Sequence, residues 1–108
     1  MNEEELTFAD ATTIAAEINA GSVSSSEMLA HYISRMERIN PDINAIVVTQ
    51  LEKARARAQA ADAARARGEN WGPLHGVPMT VKESYNVTGL PTTWGNPLMK
   101  DNIAPSDA

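Results

Sequence analysis

The apolar residues of the first forty positions recur at the three- and four-residue spacing of amphipathic helices. A first helix is predicted from Thr7, placed to cap its start, to Gly21, placed to end it. Its polar face holds Asp10 and Glu17, and its predicted apolar stripe is Phe8, Ala11, Ile14, Ala15 and Ile18. A second helix begins at the capping box Ser24–Glu27 and stops at Pro41, since proline interrupts a helix. The predicted apolar stripe of this second helix is Met28, Leu29, Tyr32, Ile33, Met36 and Ile39. Residues 1–41 are therefore predicted to form a helical arm.

The pattern changes between residues 42 and 83. Ala45–Thr49 is short, apolar and rich in β-branched residues, which is typical of a strand buried on both faces. Val77–Glu83 alternates, which predicts a second strand with Lys82 on its polar face. Leu51–Arg67 between them contains eight alanines and is predicted to be a helix. This order predicts a strand–helix–strand (βαβ) unit of a larger mixed sheet, because two parallel strands alone are not stable.

Glycine and proline dominate the rest of the chain, since five of the six glycines and five of the six prolines lie from Gly68 onward. Residues 84–108 are predicted to be a Gly/Pro-rich loop that stops at a helix start, Pro105–Ala108, with Ser106 as its cap. A structureless stretch of about 20 residues is uncommon inside a compact domain. We therefore expect a single partial domain, 1–108, the amino-terminal piece of a larger α/β protein. An independent domain is the alternative.

Charge and composition argue against several classes of function. The 9 basic and 14 acidic residues give a net charge of −5, which argues against nucleic acid or an anionic membrane as a partner. The chain has no cysteine, so disulfides and thiolate metal sites are excluded. The acidic start Met1–Glu5 lacks the basic region of a secretory signal, and no apolar run approaches the roughly 20 residues of a membrane span. A cytoplasmic location is expected.

Several polar side chains are candidates for chemistry, and each has a structural alternative. By its pattern alone, Lys82 is a charge that protects a sheet edge from aggregation. His31 falls off the apolar stripe and is expected on a solvated helix face with no partner nearby. His75 is expected to fix its turn through a ring hydrogen bond and not to act as a general base. Thr92 and Thr93 are expected to bond the backbone of their loop.

Two runs of the sequence carry a family resemblance: Gly72–Glu83 reads GPLHGVPMTVKE, and Gly89–Gly95 reads GLPTTWG. Together they closely resemble the amidase signature family, serine hydrolases of amide bonds whose catalytic lysine ends a strand of this pattern. The resemblance implies the amino-terminal part of an amidase-signature fold and makes Lys82 the catalytic base. It also implies a small-molecule amide as the substrate, with no metal and no cofactor.

The chemistry implied by the resemblance is that of a Ser-Ser-Lys triad. A nucleophilic serine attacks the amide carbonyl, and a second serine, in a cis peptide, passes the proton to the lysine. A lysine that accepts a proton must be neutral, which needs burial beside hydroxyls because the ordinary pKa of lysine is about 10.4. Without such burying partners, Lys82 is expected to be exposed in this chain.

The sequence also departs from the family pattern. Glu83–Ser84 stands where many relatives have Asp-Asn, and Asn96 follows Gly95 where serine is common. Trp94, Gly95 and Asn96 are candidates for substrate binding, and Trp94 either lines the acyl pocket or packs. The Gly/Ser-rich signature that names the family is absent, because the chain has no Gly-Gly pair and no Gly-Ser-Ser run.

Three functions stay open at this point. The first is the amino-terminal part of an amidase, inactive alone, whose core is completed by a missing carboxy-terminal part or a second chain. The second is the amide-transferring subunit of a tRNA-dependent amidotransferase, which needs an ammonia source and a partner protein. The third is a non-catalytic helical interaction module. An incomplete core with an exposed apolar face also allows a homo-oligomer.

Overall fold

The computed structural model describes all 108 residues. It contains four α-helices and one short 3-10 helix. Their bounds are α1 Glu3–Phe8, α2 Ala11–Ala20, α3 Ser25–Ile43, α4 Leu51–Ala66 and the 3-10 helix Pro97–Met99. The chain divides into two compact units, Met1–Pro78 and Met79–Ala108, and each is described by itself. No helix combines the length and the apolar character needed to cross a membrane.

The predicted first helix is in fact two helices, broken at Ala9 and Asp10. Asp10 begins α2, because its carboxylate accepts the backbone N–H of Thr13 at 2.7 Å. The prediction that Thr7 caps a helix is wrong, since its hydroxyl donates to the carbonyl of Glu3 inside α1. An aspartate on the expected polar face therefore serves as a cap and divides the helix.

The turn between α2 and α3 follows the prediction. Gly21 ends α2 in the left-handed region, with a φ of 81°, and its N–H donates to the carbonyl of Ile18 at 3.1 Å. A side chain at this position would also overlap the guanidinium of Arg65. The capping box is confirmed, because Ser24 and Glu27 each accept the other's backbone N–H.

Helix α3 continues through Pro41 to Ile43, so the predicted stop at the proline is wrong. Pro41 lies in the last turn, and only Asp42 and Ile43 follow it before the helix ends. The helix ends instead at Asn44, which is left-handed and donates its N–H to the carbonyl of Asn40 at 2.7 Å. The side chain of Asn40 then bonds both the N–H and the carbonyl of Ile46, which fixes the chain after the helix.

Helix α4 packs against α3 with small side chains. The buried residues of α4 are Ala58, Ala61 and Ala64. Asp62 of α4 reaches the start of α3, where its carboxylate accepts the N–H groups of Ser25 and Ser26 at 2.7 and 3.1 Å and the hydroxyl of Ser26 at 2.6 Å. A negative charge at this end of a helix is favourable, because the unpaired N–H groups there carry partial positive charge.

The core of the first unit lies between α2 and α3. Its buried members are Ile14, Ile18 and Met28, and Ile18 and Met28 are the largest side chains that are fully buried. The partly buried side chains around them are Leu6, Ala9, Val23, Tyr32 and Val77. Helical spacing in the sequence therefore placed Ile14, Ile18 and Met28 correctly, whereas Phe8 of the predicted stripe is 73% exposed.

The predicted strand–helix–strand unit is wrong, because only its helix is present. Neither Ala45–Thr49 nor Val77–Glu83 forms a strand. Val47 and Val81 within these segments are 56% and 51% exposed. A strand is stabilised by hydrogen bonds and side-chain pairs across a sheet, and β-forming residues without partner strands cannot supply them.

Two segments of the second unit, 86–92 and 102–108, pair with each other. Pro91 and Ile103 form an isolated antiparallel bridge within this pairing. The backbone hydrogen bonds around it run from Gly89 to Ala104, from Ala104 to Leu90, from Thr92 to Asn102 and from Ala108 to Asn86. The Gly/Pro-rich stretch therefore satisfies much of its own backbone.

Pro105–Ala108 is not helical in this structure, and the predicted helix start there stays a prediction. The Asp107 carboxylate accepts the N–H and the hydroxyl of Thr88, both at 2.8 Å. The bond from the Thr88 N–H is the main reason why the pKa of Asp107 is lowered from its ordinary value. Asp107 thus ties the last residues of this segment to Thr88.

Candidate functional site

Lys82 lies in the second unit at the start of a tight turn. Its carbonyl accepts the N–H of Tyr85 at 3.0 Å. The residue is exposed, as the sequence predicted for a lysine without burying partners. The side-chain amine of Lys82 is therefore accessible at the surface of this turn.

The side chain of Glu83, next to Lys82, binds the loop that follows ten residues later. One carboxylate oxygen accepts both the backbone N–H and, at 2.9 Å, the hydroxyl of Thr93. The other oxygen accepts the N–H of Trp94 at 2.8 Å. The pKa of Glu83 is lowered, chiefly by the Thr93 N–H, with smaller contributions from Trp94 and the charge of Lys82, while burial opposes the shift. Glu83 is thus held as a carboxylate.

Trp94 has an unusual backbone conformation, with a φ of 52°. The left-handed region costs a residue with a side chain about 1–2 kcal/mol, so the surroundings must hold Trp94 there. Its N–H is bound by Glu83, and its indole N–H donates to the carbonyl of Ser84 at 3.2 Å. The side chain is nonetheless 67% exposed. Glu83 and Ser84 thus bind the backbone N–H and the indole N–H of the tryptophan and leave its ring accessible.

The residues on either side of Trp94 complete this turn. Gly95 is also left-handed, with a φ of 70°, and its N–H donates to the hydroxyl of Thr93 at 3.3 Å. The side chain of Asn96 accepts the N–H of Leu98 at 3.0 Å and begins the 3-10 helix. The expected bonding of Thr93 to the loop is confirmed, whereas the buried hydroxyl of Thr92 has no hydrogen-bond partner.

His75 lies in the first unit, where it is 7% exposed and has both ring nitrogens bound. Nδ1 accepts the N–H of Trp71 at 3.0 Å, so the proton is on Nε2, which donates to the carbonyl of Ala61 at 2.9 Å. The ring of Trp71 packs against the imidazole. The guanidinium of Arg57 lies over this tryptophan ring, 3.9 Å from its centre. The structure therefore confirms that His75 fixes the turn and ties it to α4.

His31 is partly buried and has partners, so the prediction of a solvated residue without a partner is wrong. Its Nε2 lies 2.7 Å from the hydroxyl of Thr7, and its Nδ1 lies 3.6 Å from the carboxylate of Glu3. Since that hydroxyl donates to a helix carbonyl, it accepts from the imidazole. His31 thus connects α3 to α1.

The sequence model of the amidase family matches residues 27–108, which include Lys82 and the turn around Trp94. The chain belongs to the amidase family. No group of three or more His, Asp or Glu side chains in this amidase chain is arranged to hold a metal ion. The expected amidase-signature fold is supported by structural comparison: a chain solved in a study of a vestigial protein complex and the origins of an s-triazine catabolic enzyme has a TM-score of 0.85. That chain is 30% identical, and the match covers 93% of the present chain and 22% of the other.

Individual relatives have different activities. The amidase chain is 45% identical to an indoleacetamide hydrolase of Bradyrhizobium diazoefficiens, over 91% of its own length and 19% of the relative. It is 42% identical to an acylamidase of Rhodococcus erythropolis, over 100% of its own length and 23% of the relative. It is 41% identical to a glutamyl-tRNA(Gln) amidotransferase component of Thioalkalivibrio sulfidiphilus, over 88% and 19%. The amidase chain thus spans about a fifth of the length of these curated relatives.

The sequence-based candidates Lys82, Trp94, Gly95 and Asn96 all fall in the second unit. The hydrogen bonds that join the segment after Lys82 to the Thr93–Trp94 turn are made by Glu83 and Ser84 and not by Lys82 itself. Sequence reasoning treated this pair only as a departure from the family pattern. The available signal was a carboxylate nine and ten residues before the Thr92–Thr93 pair, and this spacing alone does not specify which group the carboxylate binds.

Proposed function

We propose that this chain supplies the lysine base of an amidase that hydrolyses small amides through a Ser-Ser-Lys triad. The observation that carries the proposal is the position of Lys82 within the matched range 27–108, at the end of the run Gly72–Lys82 that resembles the family's catalytic-lysine segment. The two serines belong to the Gly/Ser-rich signature, which is outside this sequence.

Lys82 would act on protons and not on the substrate carbon. The nucleophilic serine forms a bond to the amide carbonyl carbon, and its proton passes through the second serine to the neutral amine of Lys82. Collapse of the tetrahedral intermediate breaks the carbon–nitrogen bond, and the same proton returns to the leaving amine. Water then releases the acyl group by the same route. Backbone N–H groups of the glycine-rich signature would hold the oxyanion.

The exposed apolar segments support the proposal that further polypeptide completes the core. Val47 and Val48 in one segment, and Met79 and Val81 in the other, have β-forming patterns but no sheet to join. Strands from a carboxy-terminal part of the polypeptide, or from a second chain, would cover them and enclose Lys82. A cytoplasmic location stays a prediction.

Amide transfer is the second candidate, because a relative 41% identical is a component of a glutamyl-tRNA(Gln) amidotransferase. Hydrolysis is preferred, since the 45% and 42% identical relatives are hydrolases by name. The test is ammonia release from simple amides by a polypeptide that joins this chain to the Gly/Ser-rich signature. We expect turnover there and none from the 108 residues alone.

Two results would change this conclusion. Ammonia transfer to a charged tRNA, with no release from simple amides, would favour the amidotransferase. Turnover by the 108-residue chain itself, lost in Lys82→Ala, would mean that the proposed division of the triad is wrong.

A further inference from the structure

Glu83 binds the loop more completely than a surface carboxylate normally does. Its two oxygens receive three hydrogen bonds, from the N–H and hydroxyl of Thr93 and from the N–H of Trp94. Two of these donors are backbone groups, so the carboxylate fixes the path of the chain and not only the position of a side chain. Charge-assisted hydrogen bonds of this kind are about twice as strong as neutral ones.

The bound residue is also the strained one. Trp94 has a φ of 52°, which a tryptophan does not adopt without support, and Gly95 after it is left-handed too. The indole N–H is anchored separately on the carbonyl of Ser84. Glu83 and Ser84 therefore determine both the backbone conformation of Trp94 and the direction of its exposed ring.

We propose that Glu83 is a positioning residue that holds Trp94 in place as one wall of the substrate site and so limits the size of the acyl group accepted. The role of Trp94 as a wall of the substrate site rests on the proposed amidase function. The hold, by which we mean the hydrogen bonding of Glu83 to Thr93 and Trp94, does not. Glutamate is one methylene, about 1.5 Å, longer than aspartate. Glu83→Asp should therefore either draw the loop inward or lose a donor.

The hold can be measured without any activity. Labelling with ¹⁵N-tryptophan gives two backbone and two indole signals, because the chain has two tryptophans, and Trp71→Phe identifies those of Trp94. We expect the Trp94 amide to shift as the pH falls through the pKa of Glu83, at a midpoint below 4.5. Lys82 is the charged neighbour that acts on this titration. Glu83→Gln should abolish the shift and speed exchange of the amide roughly three- to tenfold.

Asp101→Asn is the matched control, because it removes an exposed carboxylate of the same unit and should leave both signals unchanged. A Trp94 amide that titrates equally in Glu83→Gln, or exchanges at the same rate, would overturn the hold. In a longer polypeptide, which can contain further tryptophans, Trp94→Phe identifies the signals of Trp94, because these are the ones that it removes.

The role in substrate binding has its own test in the polypeptide that carries the complete signature. Glu83→Gln should lower KM for bulky amides relative to small ones by at least about threefold, because the wall that limits acyl size is loosened, and it should leave kcat nearly unchanged, because Lys82 remains. Equal effects on small and bulky amides would overturn the wall but not the hold. If the wild-type polypeptide shows no turnover of any amide while its Trp94 amide still titrates, the result would instead count against the proposed function.

Discussion

Replacing His75 tests whether the histidine of the Gly72–Gly76 turn is structural. His75→Ala removes the acceptor of the Trp71 N–H and the donor to the Ala61 carbonyl. Each bond is worth about 1 kcal/mol, and the Ala61 carbonyl keeps its helical bond, so its loss lies at the low end. Removing a buried ring adds a cavity term. The variant should lose about 2–4 kcal/mol of unfolding free energy.

The assay is urea unfolding followed by helical circular dichroism and by tryptophan fluorescence. Asn and Gln can each replace one of the two ring bonds, so His75→Asn and His75→Gln should lose less than His75→Ala. Leu74→Ala, at an exposed neighbouring position, is the control and should stay within about 0.5 kcal/mol of the wild type. A His75→Ala chain as stable as that control would refute the structural role.

Three further predictions concern the two units separately. Met28→Ala should cost about 2–5 kcal/mol by emptying the core of the first unit, and a melting curve that does not move would contradict the packing. The hydrogen bonds lower the pKa of Asp107, so its support of Thr88 should be present above the ordinary value of 3.8 and lost as pH falls through the lowered pKa. Exchange of the Thr88 amide should accelerate there, and a rate that only falls with acid would be against it. The exposed side chains of Met79 and Val81 should make the chain associate with rising concentration, whereas a monomer at all concentrations in sedimentation would show that they need no cover.

The helices could be predicted where their signals were local. The capping box at Ser24 and the glycine at position 21 act through neighbouring backbone groups, and both were placed correctly. The break at Asp10 was missed because the same residue fits a polar helix face and a cap, and only the folded chain distinguishes the two. Pro41 was given too much weight as a stop, since the helix runs two residues past it and ends at the left-handed Asn44.

The strands and the loop contacts could not be obtained from the sequence for a different reason. The pattern of Ala45–Thr49 describes a side-chain surface that suits a sheet, but a sheet exists only if other strands pair with it. Glu83 was missed because its partners lie ten and eleven residues away, across a turn that no local pattern specifies. The candidate Lys82 came from the family pattern, while its supporting contacts came from the fold.

The most direct test of the central claim is kcat of Lys82→Ala and Lys82→Arg in a polypeptide that carries the complete signature, with a melting curve for each. Lys100→Ala, an exposed lysine of the same unit, is the control and should keep full turnover. We expect both Lys82 variants to lose about 10³-fold or more in kcat with unchanged melting, because alanine has no base and a guanidinium stays protonated. A Lys82→Arg enzyme with near-wild-type turnover would contradict the assignment of Lys82 as the base.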